Sequence, residues 1–381
     1  ARAAAKNYKD VLVVVDPKDY GVVAEKIKKK KIDENFKSNF AAKSLLHTAR
    51  YDAVISRYFA EHFIAGGFPE IYNFTFKKIQ DLRYGENPHE KAAFYKDFWI
   101  NETCISTAKQ LHGKELSYNN ILDANDAFEL VKEFDRPTSA VIKHTNPSGV
   151  ASAPTIDGAY KKAYETDPKS AFGSVVALNR ACNIEISNLM RPLFVEVIIC
   201  PKFEKTALDI FKEKKNIRLL ETGPIITDYK SPDLRRVGGG LLVQTRQRLD
   251  IDKKDFEVVS KRKPTKEEIN ELIFAWKVNK HVKSNSIVLS KHNVTVGIGA
   301  GQMSRVDAVK LAVMKSEGRS KGSVMSSDAF FPFRDGIDNA AKAGITAIIQ
   351  PGGSIRDKEV IDAANEHNIA MIFTGIRLFR H

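Results

Sequence analysis

Two segments of the chain, 150 positions apart, follow one plan, and few folds are open to a chain built that way. Val195-Glu-Val-Ile-Ile-Cys-Pro201, a helix over 205–214 and Ile217-Arg-Leu-Leu-Glu-Thr-Gly223 form one strand, helix, strand unit. Ile345-Thr-Ala-Ile-Ile-Gln-Pro351, a helix over 357–367 and Ile369-Ala-Met-Ile-Phe-Thr-Gly375 form the other. A Ser-x-Ala-Phe-like element precedes each, Ser170-Ala-Phe-Gly173 in the first and Ser327-Asp-Ala-Phe-Phe331 in the second. Strands alternating with helices predict layered α/β domains. One repetition at this spacing predicts two duplicated α/β subdomains rather than a solenoid, with a cleft where they face each other. Chance likeness of two generic units is the alternative.

At 381 residues the chain is long for one core, and two or three domains are expected. With 43% hydrophobic and 28% charged residues it has the composition of a soluble globular protein. No apolar run approaches the roughly 20 residues that span a bilayer, and the start Ala-Arg-Ala-Ala-Ala-Lys lacks the apolar core of a signal peptide. A cytoplasmic protein with no membrane partner is therefore expected. Cys104, Cys182 and Cys200 stand far apart without a Cys-x-x-Cys pair, which predicts reduced, mostly buried thiols. The net charge of +13 favours an anionic partner. Much of that charge lies in runs such as Lys28-Lys-Lys-Lys31 that suit solvated helix faces. No aromatic-rich sheet signature, zinc finger or helix-turn-helix spacing accompanies the charge, so no nucleic-acid partner is expected, although a basic RNA-binding module is the competing class.

The chain opens without Met, and Arg2 to Asn7 lead directly into Val11-Leu-Val-Val-Val15, an apolar strand closed by Asp16-Pro17. An N-terminal part is therefore expected to be missing. Helices are predicted over 18–31, 33–48 and 52–63, and Gly66-Gly67-Phe68-Pro69 marks a linker.

Four stretches carry candidate chemistry. Ala140-Val-Ile-Lys-His-Thr-Asn-Pro-Ser-Gly149 ends an apolar strand on Lys143 and His144, before a predicted Pro-Ser-Gly turn; the pair is either a solvated strand end or a reactive base and cation. Asp81-Leu-Arg-Tyr-Gly-Glu-Asn-Pro-His89 follows a strand predicted over 71–79; it is either a plain loop or one that holds Arg83 and Tyr84 for an anion. Gly297-Ile-Gly-Ala-Gly-Gln302, between a strand and a helix starting near Val306, could present backbone N–H groups to phosphate, but it is neither a dinucleotide fingerprint nor a Walker motif. Ser326-Ser-Asp-Ala-Phe-Phe-Pro-Phe-Arg-Asp335 is either a core strand edge or a flat wall for a heterocycle. The tail Thr374-Gly-Ile-Arg-Leu-Phe-Arg-His381 carries apolar residues that favour an ordered end near the cleft. A zinc deaminase is rejected, because the counterpart positions read His144-Thr-Asn146 and Cys200-Pro-Lys-Phe, which cannot hold the metal.

Together, Arg83-Tyr-Gly-Glu-Asn-Pro-His89, Lys143-His-Thr-Asn-Pro-Ser-Gly149, the Gly297 run and the Ser327 to Asp335 run resemble the bifunctional purine biosynthesis family. That family joins an IMP cyclohydrolase domain to an AICAR transformylase domain. The resemblance implies an α/β fold in which two duplicated cytidine-deaminase-like α/β/α subdomains, residues 68–255 and 256–381, form the transformylase. They follow residues 1–67, the C-terminal remnant of an α/β cyclohydrolase (MGS-like) domain. It implies formyl transfer from the co-substrate 10-formyltetrahydrofolate to the AICAR amine without a catalytic metal, in a homodimer with shared active sites. Carried over by motif, Arg83, Tyr84, His144, Gly173, Glu196, Asn285, Arg305 and Arg377 contact AICAR. Phe330, Asp335, Ser354 and Ile355 lie along the folate side, with Val306 adjoining. Some family members bind a structural potassium ion near the tail. Lys6 matches the segment with the cyclohydrolase's catalytic lysine; the loops that bind the nucleotide phosphate are absent, so little cyclohydrolase activity is expected.

The AICAR amine is a poor nucleophile, because its lone pair is delocalised, so a base must take its proton as it attacks. Imidazoles, which titrate near pH 6.5 in model peptides, suit that task at neutral pH, and a neighbouring cation disfavours imidazolium. Lys143 is expected to stabilise the oxyanion or deliver a proton to the leaving folate nitrogen.

Overall fold

The computed structural model describes residues 1–64, 67–228, 231–247 and 256–381. It divides into two compact units, Ala1–Gln80 with Tyr95–Ile100, and Asp81–Phe94 with Asn101–His381. Among the described residues no helix is long and apolar enough to cross a membrane. Gly66, in the predicted linker, lies outside the described residues.

The first unit contains helices α1 (Arg2–Lys6), α2 (Tyr20–Lys28) and α3 (Glu34–Phe63). Asp33 caps α3 by accepting from the Phe36 amide at 2.7 Å. The two helices predicted over 33–48 and 52–63 are this one 30-residue helix, since Ala49-Arg50-Tyr51 holds no glycine or proline to break it. The helix predicted from residue 18 begins as a 3-10 turn, Pro17–Asp19, and becomes α-helical at Tyr20. Val11 to Val15 do not form the predicted strand; among the described residues they have no ladder partner, and apolar composition cannot replace one. The strand predicted over 71–79 starts only at Phe76, where it forms a hairpin, Phe76–Leu82 with Ala92–Asp97.

The second unit is built on one mixed sheet of 12 strands. In chain order its first six strands are β1 (Lys109–His112), β2 (Thr138–Lys143), β3 (Asn146–Ser152), β4 (Ser174–Leu178), β5 (Val195–Cys200) and β6 (Arg218–Glu221). The remainder are β7 (Glu257–Val258), β8 (Ile287–Lys291), β9 (Val294–Gly299), β10 (Val324–Ser327), β11 (Ala347–Gln350) and β12 (Ala370–Phe373). Across the sheet they run β7-β12-β11-β10-β8-β9-β3-β2-β4-β5-β6-β1. Outward from the centre, β3-β2-β4-β5-β6-β1 and β9-β8-β10-β11-β12-β7 are therefore one order used twice. The helices repeat with it. In the first half they are α4 (Tyr118–Val131), α5 (Ile156–Thr166), α6 (Ile184–Met190) and α7 (Lys205–Phe211); in the second, α8 (Lys266–Asn279), α9 (Arg305–Lys315), α10 (Asp335–Lys342) and α11 (Asp357–Glu366).

The repeat extends over more of the chain than the two units found in the sequence, and one detail of it differs. Ser170 to Gly173 lie just before β4, whereas Ser327 ends β10 and Asp328 to Phe331 follow it, so these elements are not equivalent. Three residue types in common are too few to fix a register.

Burial on both faces explains the unbroken apolar strands. On one face Ala140, Ile142, Val175, Val197, Val288, Ile298 and Ile349 pack with Phe128 of α4 and Trp276 of α8 in a single core spanning both halves. The alternate residues face the other way and make two separate cores, one with α5, α6 and α7, the other with α9, α10 and α11. Cys182 and Cys200 belong to the first of these, where burial pushes both thiols well above their usual range.

The glycines of the Gly297 run serve this packing. A Cβ on Gly297 would lie 2.0 Å from Ala312 O, and one on Gly299 would lie 2.0 Å from Ala308 O, so both let the backbone of α9 rest on β9. Gly299→Ala is expected to displace α9 and cost about 2–3 kcal/mol or more, read as a lower urea midpoint. An unchanged midpoint would mean that the helix moves away freely.

Candidate active site

Pairing directions bring one set of loops to one end of the sheet. β2 is antiparallel to β3 and β4, and β4, β5 and β6 are parallel. The last residue of β2 therefore lies at the end where β3, β4, β5 and β6 begin. β9 is antiparallel to β3, so the second half is turned over, and β9, β10, β11 and β12 finish at that same end. Lys143, Gly173, Glu196, Asn285, Phe330, Ser354 and Arg377 all belong to loops or strand ends there.

Lys143 closes β2, and the turn into β3 consists of His144 and Thr145, at φ +52° and +61°. The turn predicted at Pro147-Ser148-Gly149 is instead the start of β3, and Gly149 is required because its Cβ would lie 1.9 Å from Ala163 O. Two successive left-handed residues match the twist of a two-residue hairpin, but without glycine they cost on the order of 1–2 kcal/mol each. The Asp123 carboxylate of α4 accepts the Thr145 amide at 2.6 Å and offsets part of that cost. Burial pushes the Asp123 carboxyl above its usual range, against the Thr145 and His144 amides and the His144 ring. Asn146 ties the turn to the second half, its Oδ1 accepting from the Lys283 amide at 3.0 Å.

Among the described residues the two half-sheets meet through a single ladder position, Val294 opposite Ala151. Thr295 reinforces it, with its Oγ1 accepting from the Val150 amide at 2.9 Å. Toward Asn146 and Gly297 a cavity of about 250 Å³ lies between the halves. Its walls carry Lys143, His144, Ser148, Asp167, Ser170 and Lys315. Lys143 Nζ donates to Phe172 O at 2.8 Å, and His144 is exposed. Burial raises the Asp167 carboxyl, but Ser170 and Lys315 outweigh it and leave the carboxyl below its usual range. Lys315 Nζ stands 2.9 Å from Asp167.

Beside the turn, Gly173 at φ +68° donates to Phe194 O at 2.8 Å, and a Cβ there would reach within 4.0 Å of Glu196. Glu196 accepts from Asn120 Nδ2 at 2.8 Å and faces Arg218 at 3.6 Å. Arg83 stacks on Tyr84, with its guanidinium carbon 4.7 Å from the ring centroid and Nη2 donating to the hydroxyl at 3.0 Å. Burial lowers the Arg218 guanidinium from its usual range, partly offset by Glu196 and Tyr84, while Arg83 repels it. Arg218 thus joins Arg83, Tyr84 and Glu196 in one charged cluster. Sequence reasoning passed over Arg218, because Ile217-Arg-Leu-Leu read only as a strand.

Arg305 is buried at the start of α9, between Ser286 O, Asn285 Oδ1 at 2.7 Å and the buried Asp328 carboxylate. Asn285 Nδ2 donates to Met303 O at 3.0 Å. The guanidinium therefore holds Asn285 rather than projecting into the cavity, and Val306 follows it on the helix. Phe330 is partly exposed after β10, and Ile355, beside Ser354 after β11, is 102% exposed. Arg377 lies over the Phe379 ring at 4.4 Å. The tail is ordered as predicted: the buried Leu378 donates its amide to Asp328 O at 2.8 Å, and Arg380 pairs with Asp126 at 2.7 Å. Asp335 begins α10, accepting from the Gly336 amide. Lys6 is the exposed last residue of α1, in the other unit. Among the described residues no group of three or more His, Cys, Asp or Glu side chains could hold a metal ion.

A family model described as AICARFT/IMPCHase bienzyme matches residues 4–315. The bifunctional purine biosynthesis protein PurH of Acetivibrio thermocellus is 53% identical over 384 residues, covering 100% of this chain and 74% of its own length. The PurH proteins of Oceanobacillus iheyensis and Bacillus cytotoxicus are 48% and 50% identical, each over 100% of this chain and 74% of their own length.

Proposed function

Because this chain belongs to the AICARFT/IMPCHase bienzyme family, we propose that its formyl transfer is carried out at the Lys143–His144 turn. The protein is an AICAR formyltransferase and IMP cyclohydrolase of purine biosynthesis, and a folate is the formyl donor. The supporting observation is the position of that turn: a base and a cation at an open cavity, on the sheet end where the loops bearing Asn285, Phe330, Ser354 and Arg377 converge.

In this proposal the AICAR amine attacks the formyl carbon of 10-formyltetrahydrofolate while His144 accepts the amine proton. The carbon–N10 bond then breaks, and N10 leaves with the proton that His144 took from the amine. Lys143 has two N–H donors beyond the one given to Phe172 O, and these can meet the developing oxyanion. Arg83, Tyr84, Glu196, Gly173, Asn285 and Arg377 serve the nucleotide. Phe330, Val306, Asp335, Ser354 and Ile355 serve the folate, and Arg305 acts by holding Asn285. Lys6 is assigned to the cyclohydrolase reaction.

The two halves are taken as cytidine-deaminase-like subdomains, residues 68–255 and 256–381, which the repeated strand order supports. A homodimer with shared sites is part of the proposal. Phe172, Phe194, Met303 and Ile355, apolar side chains left exposed around this end, support it. For the potassium ion of some relatives, the oxygens of Ser284 and Asp328 beside the tail are a donor set that suits a hard cation, and no step passes through it.

The direct test is a formyl-transfer assay with AICAR and 10-formyltetrahydrofolate that follows tetrahydrofolate release. Absence of transfer by the folded chain would overturn the assignment. EDTA is expected to leave the rate unchanged; loss restored by zinc would point instead to a metal-bound nucleophile.

A further inference from the structure

The Lys–His turn occurs twice. In the second half Lys291 closes β8, and His292 and Asn293 turn into β9 at φ +58° and +56°. Lys291 Nζ donates to Lys321 O at 3.0 Å in the loop before β10, as Lys143 donates to Phe172 O before β4. Beneath each turn lies a carboxylate from the sixth residue of a 14-residue helix, Asp123 in α4 and Glu271 in α8. Glu271 accepts the Asn293 amide at 2.8 and 3.0 Å. In both halves the lysine follows its carboxylate by 20 positions.

The two turns differ in what else holds them. The one inter-half ladder position, Val294 opposite Ala151, lies against the second turn, and the Ser152 amide donates to Asn293 O at 2.9 Å. The equivalent position at the first turn would set Asn146 opposite Gly299, and no such pair forms among the described residues; the cavity occupies that end instead. The repeat is thus closed over His292 and open over His144. Where the ladder is missing, the carboxylate bears more of the work of holding the left-handed turn.

We propose that Asp123 is a positioning residue for formyl transfer, which from α4 holds the His144–Thr145 turn and thereby aims His144 and Lys143 at the reacting atoms. This rests on the assignment of the chemistry to His144. Asp123 touches neither substrate; it acts through backbone amides, so its acceptor oxygen matters more than its charge.

The test compares Asp123→Ala, Asp123→Asn and Glu271→Ala in the full chain, by steady-state formyl transfer and thermal unfolding, with His144→Ala as reference. Asp123→Ala is expected to lower kcat about 100-fold, as for a misplacement near 1 Å, with the AICAR KM changed within about threefold. Asp123→Asn, which retains the acceptor, is expected to restore kcat to within about threefold of the parent. Glu271→Ala is expected to lower the unfolding temperature while leaving kcat unchanged. Should Asp123→Ala fail to fold, Asp123→Ser replaces it. The proposal is overturned if folded Asp123→Ala, or Asp123→Ser, retains the turnover of Glu271→Ala, or if Asp123→Asn is as impaired as Asp123→Ala. Near-normal turnover of His144→Ala would instead overturn the assignment beneath it.

Discussion

His144→Ala is expected to lower formyl-transfer turnover about 100-fold or more while changing the AICAR Michaelis constant far less. The geometry requires this split. His144 is on an exposed turn with its backbone held by Asp123, so loss of the imidazole removes a proton acceptor without removing packing. The nucleotide contacts assigned to Arg83, Tyr84, Asn285 and Arg377 come from other loops and remain. Steady-state kinetics on the folded variant decide the matter, and near-normal turnover would exclude His144 as the base.

Asp328→Ala is expected to have the largest effect on stability, about 3–5 kcal/mol, because it leaves the Arg305 guanidinium buried without its counter-charge. The side chains of Arg305 and Asp328 are only 7% and 0% exposed. The same carboxylate accepts from the Ser286 amide at 3.1 Å and from Ser284 Oγ, so removing it orphans three donors. Asn285 would lose its anchor as well, and turnover should fall with stability. Urea unfolding provides the measurement; a loss below about 1 kcal/mol would show that Arg305 finds water or another acceptor. An Asp328→Asn variant, which retains two polar atoms, should lose less.

How much was legible follows from how local each signal is. β5, α7 and β6 could be found because an unbroken apolar run with a short helix after it has few other meanings. Lys143 and His144 by themselves read equally as a solvated strand end, and only the companion motifs marked them as the reactive pair. The turn they belong to was misplaced by three residues, because Pro-Ser-Gly is turn-like in composition, whereas His-Thr adopts left-handed geometry only with a carboxylate beneath it. The Gly297 run resembled a phosphate loop because close backbone packing asks for the same residue that phosphate binding does. Arg305 was carried over by motif as a nucleotide contact, and nothing local indicated that Asp328, 23 residues away, would neutralise it.

By itself the sequence determined the repeated unit, the layered α/β class and the family, since periodicity and motif are properties of neighbouring residues. The tertiary structure alone decided which of two similar Lys–His turns opens onto a cavity. That choice depends on where β3 and β9 pair, at Val294 and Ala151 rather than at Asn146 and Gly299. Register between strands about 140 residues apart is set by packing across the whole sheet and leaves no local trace.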